Sequence, residues 1–160
     1  MVKMGPDNQN AGWQAGYQPT FESVGTFSHI HEWTMGGLGI FASNGRLQTK
    51  IGDEHIPSSG YRSLIRKKFE EAPIGYYKVQ LLKYNIKAEV TATTRCGFER
   101  FTFPQDRDSS RILIDLHVPA EYDYQLKEIK GKKVSDYRKE GYSHQLSPGV
   151  WSHDADQDYT

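Results

Sequence analysis

A strict alternation of apolar and polar residues from Ile86 to Thr93 constrains the fold of this chain more than any other feature. Successive side chains of a β-strand point to opposite faces, so the alternation predicts a strand with one buried face and one face in water. Tyr77–Leu82 and a turn at Lys83–Asn85 precede this strand, and Phe98–Phe103 follows it, which predicts an antiparallel meander. The residues expected on the buried face are Ile86, Ala88, Val90 and Ala92.

Further strands are predicted on both sides of the meander. Ser23–Phe27 is one, and the apolar run Arg111–Leu116 predicts a strand that is buried on both faces. Tyr122–Ile129 and Val134–Lys139 are expected to form a hairpin around a turn at Lys130–Lys133. Short strands joined by polar turns predict an all-β, antiparallel β-sandwich with at most one short helix.

The remaining segments before the meander are predicted to be less regular. Met1–Gln18 is expected to form loop and short strand, with a turn at Gly5–Asn8. Ile40–Arg62 is rich in Gly, Asn, Ser, Pro and charge, which predicts a long surface excursion. A weak helical spacing over residues 61–71 predicts at most one short helix or helical turn.

Composition limits the partners that this chain can be expected to have. Its 160 residues suffice for one domain with a substantial core, and its 20 basic and 20 acidic side chains cancel. A net charge of zero gives no electrostatic reason to expect nucleic acid or an anionic membrane as a partner. No apolar run approaches the length of a membrane span, and no signal-peptide pattern is present. Cys96 is the single cysteine, and we expect it to be a small buried hydrophobic residue without a chemical role.

Residues Phe27–Gly37 carry the densest chemistry in the chain: two imidazoles, a carboxylate, an indole and a glycine pair. In an extended segment His29, His31 and Trp33 point to one face. Glu32 points to the opposite face. Sugar hydroxyls need fixed donors and acceptors, and the C–H face of a sugar ring needs an aromatic platform, so this stretch is a candidate sugar-binding surface.

Two other interpretations of this stretch stay open. His29 and His31 can be two legs of a metal site, which would need further ligands that the sequence cannot place. The same histidines can be half-buried strand residues, with Trp33 in the core.

Several other polar and aromatic side chains are expected to have structural roles only. Trp13 and Tyr17 are expected to be packing or rim aromatics, and His55 a solvated loop residue. The aspartates at 154, 156 and 158 have the spacing of a calcium loop, but the glycine and the closing glutamate of an EF-hand are missing. A frayed acidic tail over Ser143–Thr160 is therefore expected.

Several stretches resemble one known family, in the same order along the chain. Gly25–Gly37 resembles a motif near the start of glycoside hydrolase family 92, the calcium-dependent exo-acting α-mannosidases. Ala72–Val79 and Ile86–Pro104 resemble the hairpin region of the N-terminal β-sandwich domain of the same enzymes. The resemblance extends over most of the chain as far as Leu116.

The resemblance implies that residues 1–160 are a single domain, a fragment of that N-terminal β-sandwich domain truncated at both ends. In the family, the acid and base of an inverting mechanism and most calcium ligands come from a C-terminal catalytic helical domain, whose motifs are absent here. We therefore expect no catalytic residue, no confidently bound metal and no activity in this chain alone. The resemblance assigns part of the mannose pocket to four residues, in a variant similar to that of members cleaving α-1,2 linkages: His29, His31, Glu32 and Trp33.

Expected partners and location also follow from the resemblance. They are an α-mannoside glycan, the missing C-terminal catalytic domain, and further copies of the chain that meet at exposed strand edges. Calcium and a periplasmic or extracellular location are expected for the full-length family enzyme. One alternative is a non-catalytic carbohydrate-binding or interaction β-sandwich module, and another is a truncated remnant that self-associates.

Overall fold

Neighbouring strands in the sheets that the structure describes are all antiparallel. The structure, a computed structural model, describes residues 4–9, 16–28, 39–106 and 109–115, and the backbone of 125–135, 138–146 and 156–159. These residues belong to two compact units, Met1–Glu121 and Tyr122–Thr160. Their one helical element is a turn of 3-10 helix at Lys67–Phe69, inside the predicted range. The predicted all-β class is confirmed, and the single-domain assignment stays a prediction.

Among the described residues, the strands of the first unit form three sheets. In chain order they are β1 (Gly5–Asp7), β2 (Ser23–Val24), β3 (Thr26–Ser28), β4 (Gly39–Ser43), β5 (Ser63–Leu64), β6 (Tyr76–Leu81), β7 (Ile86–Ala92), β8 (Gly97–Thr102) and β9 (Arg111–Asp115). One sheet has the order β1, β3, β4, β9, and the second is the meander β6, β7, β8. The third sheet is the short pair β2 and β5.

The meander follows the alternation of its sequence. The turn between β6 and β7 places Asn85 at a φ of 53°, a left-handed conformation that asparagine adopts more readily than most residues. The predicted strands and turn are confirmed to within about two residues. Six paired side chains of β6 and β7 form the buried face: Tyr77, Val79, Leu81, Ile86, Ala88 and Val90.

Aromatic rings pack the meander against the sheet that contains β3 and β4. Phe27 of β3 is fully buried, and its ring centroid lies 5.8 Å from that of Phe101 and 6.4 Å from that of Tyr77. The ring of Phe41 in β4 lies 6.5 Å from Phe27 and 5.9 Å from Tyr84, which is in the β6–β7 turn. These contacts join two antiparallel sheets into a sandwich with one aromatic core.

Both ends of the predicted surface excursion Ile40–Arg62 are buried. Strand β4 lies between β3 and β9, and its Phe41 is fully buried. Tyr61 and Arg62 are buried at the other end, whereas residues 45–50 are exposed as predicted. The composition of the segment misled the prediction because pairing with two neighbours satisfies the backbone polar groups of a strand that has few large apolar residues.

Strand β9 does not show the predicted burial on both faces. Leu113 packs against the core, but Ile112 is 49% exposed and Ile114 is 59% exposed. Among the described residues β9 pairs with β4 alone, and the face that carries both isoleucines is not covered by them. The apolar run therefore combines one packed face with one open face.

Two local predictions near strand ends are wrong. Gly5–Asp7 is a strand paired with β3, rather than part of a turn. Cys96 is exposed rather than buried, because it lies in the turn between β7 and β8. Its backbone N–H donates to Thr93 Oγ1 at 3.1 Å, and its carbonyl accepts from the Thr93 N–H at 2.8 Å. The turn thus holds Cys96 away from the packed face of the meander.

The second unit, as far as it is described, is an antiparallel sheet in which the middle strand lies between the other two. The predicted turn at Lys130–Lys133 is wrong, because the first strand continues through it and Gly131 pairs with Gly141. The chain instead reverses between Ser135 and Arg138. The strands are β10 (Gln125–Ser135), β11 (Arg138–Leu146) and β12 (Asp156–Tyr159).

The predicted frayed tail is wrong for residues 156–159, since β12 pairs with β11 from Leu146 to Ser143. Pairing satisfies the backbone groups of this segment, which an acidic composition alone does not reveal. Asp154, the first member of the calcium-like spacing, lies outside the described residues.

We predict that Phe41→Ala lowers the free energy of unfolding by about 3–5 kcal/mol, because it removes a fully buried ring that touches both sheets. Ile112→Ala, on the open face of the adjacent strand, should lower it by less than about 1 kcal/mol. Urea denaturation measures both values. Similar losses for the two variants would contradict the core described here.

Candidate functional site

Both ends of the predicted sugar-binding stretch adjoin described strands. Strand β3 includes the first two residues of the stretch and ends at Ser28, and β4 begins at Gly39, two positions after the stretch ends at Gly37. Phe27 pairs with Ile40, so the chain leaves and re-enters one sheet on neighbouring strands. Residues 29–37 of the stretch lie outside the described residues, so the predicted roles of four of them stay predictions: His29, His31, Glu32 and Trp33.

A buried carboxyl group lies beside the point where the chain leaves β3. Asp7 of β1 is 2% exposed, and its carboxylate accepts hydrogen bonds from Thr26 Oγ1 at 2.6 Å and Ser28 Oγ at 3.1 Å. Burial raises the pKa of Asp7 to about 7, although both hydrogen bonds and the charge of Arg62 oppose the rise. The end of β3, directly before His29, is therefore hydrogen-bonded to a carboxyl group whose pKa is raised to about 7.

A fully buried guanidinium supports the same corner of the sandwich. Arg62 Nη1 donates to the carbonyl oxygen of Asn8 at 2.8 Å and to Ser23 Oγ at 3.0 Å. Asn8 Nδ2 in turn donates to the carbonyl oxygen of Ser23 at 2.7 Å, and Asn8 Oδ1 accepts from the Gln18 N–H at 3.1 Å. These bonds connect the end of β1 to β2 and to the residue that precedes β5.

Glu99 places a second carboxyl group on the inner face of the meander. It pairs with buried Val90, and both of its carboxylate oxygens are buried without a hydrogen-bond partner among the described residues. Burial, followed by the negative charge of Asp7, raises the pKa of Glu99 to about 8. The charge of Asp7 thus adds to the rise in the pKa of Glu99, and burial raises the pKa of both carboxyl groups.

Glu89, on the outer face of the meander, is surrounded by hydrogen-bond donors and positive charge, so its pKa is lowered rather than raised. Its carboxylate accepts from Arg100 Nε at 2.8 Å, Arg100 Nη2 at 2.6 Å and the Tyr76 hydroxyl at 2.8 Å, and Lys87 Nζ lies 3.2 Å away. Hydrogen bonds from Arg100 and then Tyr76 are the main causes that lower the pKa of Glu89 to about 2. Glu89 lies on the face of β7 that was predicted to be in water, but these neighbours bury it. Their contacts occupy both of its carboxylate oxygens, which leaves none for a ligand.

The described residues contain no group of three His, Cys, Asp or Glu side chains that could hold a metal ion. The predicted solvated position of His55 is confirmed: the residue is exposed, with its ring centroid 5.3 Å from that of Phe21. Tyr17 is a half-exposed packing aromatic, as predicted, with its ring against Tyr77 and under Lys67 Nζ. No helix in the described part of the chain is long and apolar enough to cross a membrane.

Three buried polar residues were not anticipated from the sequence: Asp7, Arg62 and Glu99. Asp7 was hidden because glycine and proline precede it and suggest a turn. Glu99 did have a signal, since strand alternation places it on the same face as Phe101. The burial of Arg62 depends on contacts from Asn8 and Ser23, which are far from it in sequence.

We predict that the stability of this protein falls as the pH rises from about 4.5 to about 8, the range between the ordinary and the folded pKa of Glu99. The folded chain keeps a proton that the unfolded chain releases over this range, so the stability that the protonated group provides is complete below it and lost above it. Asp7 acts in the same direction up to about 7. Glu99→Gln should flatten the dependence, as measured by urea denaturation at several pH values.

Glu89→Gln is the matched control for this measurement, because it changes the same kind of side chain on the outer face. The folded pKa of Glu89 is depressed, so its contribution is present above about 4.5 and lost as the pH falls toward about 2. Glu89→Gln should therefore leave the fall in stability between pH about 4.5 and about 8 unchanged. An equal flattening by both substitutions would argue against a buried acid at Glu99.

This chain is similar to known proteins of one family, in sequence and in fold. The family model described as "Glycosyl hydrolase family 92 N-terminal domain" matches residues 1–160. The solved GH92 alpha-mannosidase BT3965 from Bacteroides thetaiotaomicron is similar at 26% identity with a TM-score of 0.78. In its complex with mannoimidazole the same enzyme is similar at 26% identity with a TM-score of 0.76.

Both similarities cover 91% of this chain and 20% of the solved chain, so this chain spans about a fifth of the enzyme's length. No curated protein sequence matches the chain. The match of the family model to residues 1–160, together with the antiparallel sandwich, shows that the chain belongs to the family of glycosyl hydrolase family 92 N-terminal domains.

Proposed function

We propose that this chain supplies one wall of the mannose-binding pocket of an exo-acting, inverting α-mannosidase that cleaves α-1,2 linkages. The observation that carries the proposal is the family match over residues 1–160, supported by a similar solved enzyme that is in complex with mannoimidazole. The residues proposed to line the pocket are His29, His31, Glu32 and Trp33.

The chemistry of the stretch supports this assignment. Imidazole rings can donate or accept hydrogen bonds to sugar hydroxyls, and Glu32 can accept them. Trp33 provides a flat apolar surface for the C–H face of a sugar ring, which we assign to the sugar beyond the scissile bond. The stretch starts and ends on paired strands of a packed sheet, and rigid strands are suitable supports for a binding site.

The three carboxyl groups with the most shifted pKa values are poorly placed for glycoside hydrolysis. An inverting glycosidase needs an acid and a base roughly 6.5–9.5 Å apart, with access to the glycosidic oxygen and to a water molecule. Asp7 and the carboxylate oxygens of Glu99 are buried within the sandwich, and Glu89 is occupied by Arg100 and Tyr76. On the family resemblance, we assign the acid and the base of the enzyme to polypeptide outside this chain.

The calcium site of the complete enzyme is also assigned to polypeptide outside this chain. The resemblance implies calcium for the complete enzyme, but the described residues do not bring together a set of ligands that fits it. No step of the proposed role of this chain depends on the ion.

We predict that α-1,2-mannobiose binds weakly to this chain and that Trp33→Ala weakens the affinity by about fivefold to tenfold, the effect expected from losing one stacking ring. NMR titration measures both affinities. Phe98→Ala is the control, since Phe98 is an exposed aromatic residue on the meander and should leave the affinity unchanged. Equal losses in both variants would contradict a pocket at Trp33.

We also predict no release of mannose from α-1,2-mannobiose by this chain alone, with or without added calcium, because the acid and base are assigned elsewhere. A sensitive assay for free mannose over a long incubation checks this. Binding without turnover is the expected combination, and clear turnover would show that the chemistry lies within these residues.

A further inference from the structure

Strand β3 is short, and its polar side chains share one buried acceptor. Thr26 and Ser28 are two residues apart, so both point to the same side of the strand. Asp7 pairs directly with Thr26 and lies on that side, where its two carboxylate oxygens accept one hydroxyl each. Phe27 points the other way, into the aromatic core. One carboxylate therefore bonds both polar side chains of β3.

The same cluster contacts the start of β4. A Cβ atom at Gly39 would lie 2.9 Å from Thr26 Cγ2, so glycine allows β4 to approach β3 closely at this point. Thr26 is in turn bonded to Asp7. The end of β3 at Ser28 and the start of β4 at Gly39 thus both adjoin side chains that are hydrogen-bonded to Asp7.

Placing a carboxyl group here is energetically unfavourable by itself. Asp7 is 2% exposed, and the rise in its pKa shows that burial outweighs its hydrogen bonds and the charge of Arg62. A sandwich core does not need such a group, since apolar side chains of similar size are often at least as stabilising as buried charges. The two hydroxyl partners of Asp7 at the end of β3 point to a role in local geometry.

We infer that Asp7 is a positioning residue for mannoside binding: by holding Thr26 and Ser28, it fixes the end of β3, the last described residue before His29. This inference rests on the function proposed above. Asp7 acts through Ser28, which directly precedes His29, and does not itself touch the sugar. Its role is to give the proposed binding residues one starting geometry.

Two single-hydroxyl deletions separate positioning from stability. Ser28→Ala removes the bond next to His29, whereas Thr26→Val removes the shorter bond, two residues earlier, and keeps the methyl group that faces Gly39. Thr26→Val should cost at least as much stability in urea denaturation. Ser28→Ala should nevertheless weaken α-1,2-mannobiose binding by about fivefold, against less than about twofold for Thr26→Val.

The positioning role of Asp7 is tested by NMR titration of α-1,2-mannobiose together with amide hydrogen exchange of the free chain. Faster exchange confined to residues 29–38 in Ser28→Ala, with the affinity loss above, is the expected result. If the unmodified chain binds and the affinity losses simply follow the stability losses, the inference is overturned. If the unmodified chain does not bind, the proposed function fails. Exchange then decides the role of Asp7: a change confined to residues 29–38 supports it, and no such change overturns it.

Discussion

The packing of Phe27 against the meander is the contact on which the rest of the first unit depends. Its ring meets Phe101, Tyr77 and Phe41, so one side chain of a short strand touches both sheets of the sandwich. The residue that follows it, Ser28, faces the opposite side and is bonded to Asp7. The last strand before the proposed site is therefore anchored by aromatic packing on one face and by buried hydrogen bonds on the other.

The buried polar groups of this unit serve local geometry more clearly than stability. Arg62 joins Asn8 to Ser23, and Asp7 joins β1 to β3. Glu99 has no comparable bonds among the described residues, which is why burial shifts its pKa so far. Burial raises the pKa of both Asp7 and Glu99, so the stability of the sandwich is predicted to depend on pH.

Membership of the family and possession of its activity are separate matters for this chain. It matches the N-terminal domain model over residues 1–160, yet it spans about a fifth of the similar solved mannosidase. A sandwich that supplies one wall of a pocket can present hydrogen-bonding and stacking groups without holding an acid and a base. The proposed division places recognition of the mannoside partly in this chain and the reacting groups outside it.

By itself the sequence determined the all-β class and the meander, because strand alternation and turn chemistry are local. It also determined the family, because the stretches that resemble it are continuous in sequence and occur in the same order. It misjudged the exposure of Cys96, the burial of β4, the open face of β9 and the turn at residues 130–133, each of which depends on neighbouring strands. The stretch from His29 to Trp33 was identified from residue types alone, and its geometry lies outside the described residues. Only the tertiary structure brought Asp7, Thr26 and Ser28 together, because the burial of a polar side chain is decided by residues distant in sequence.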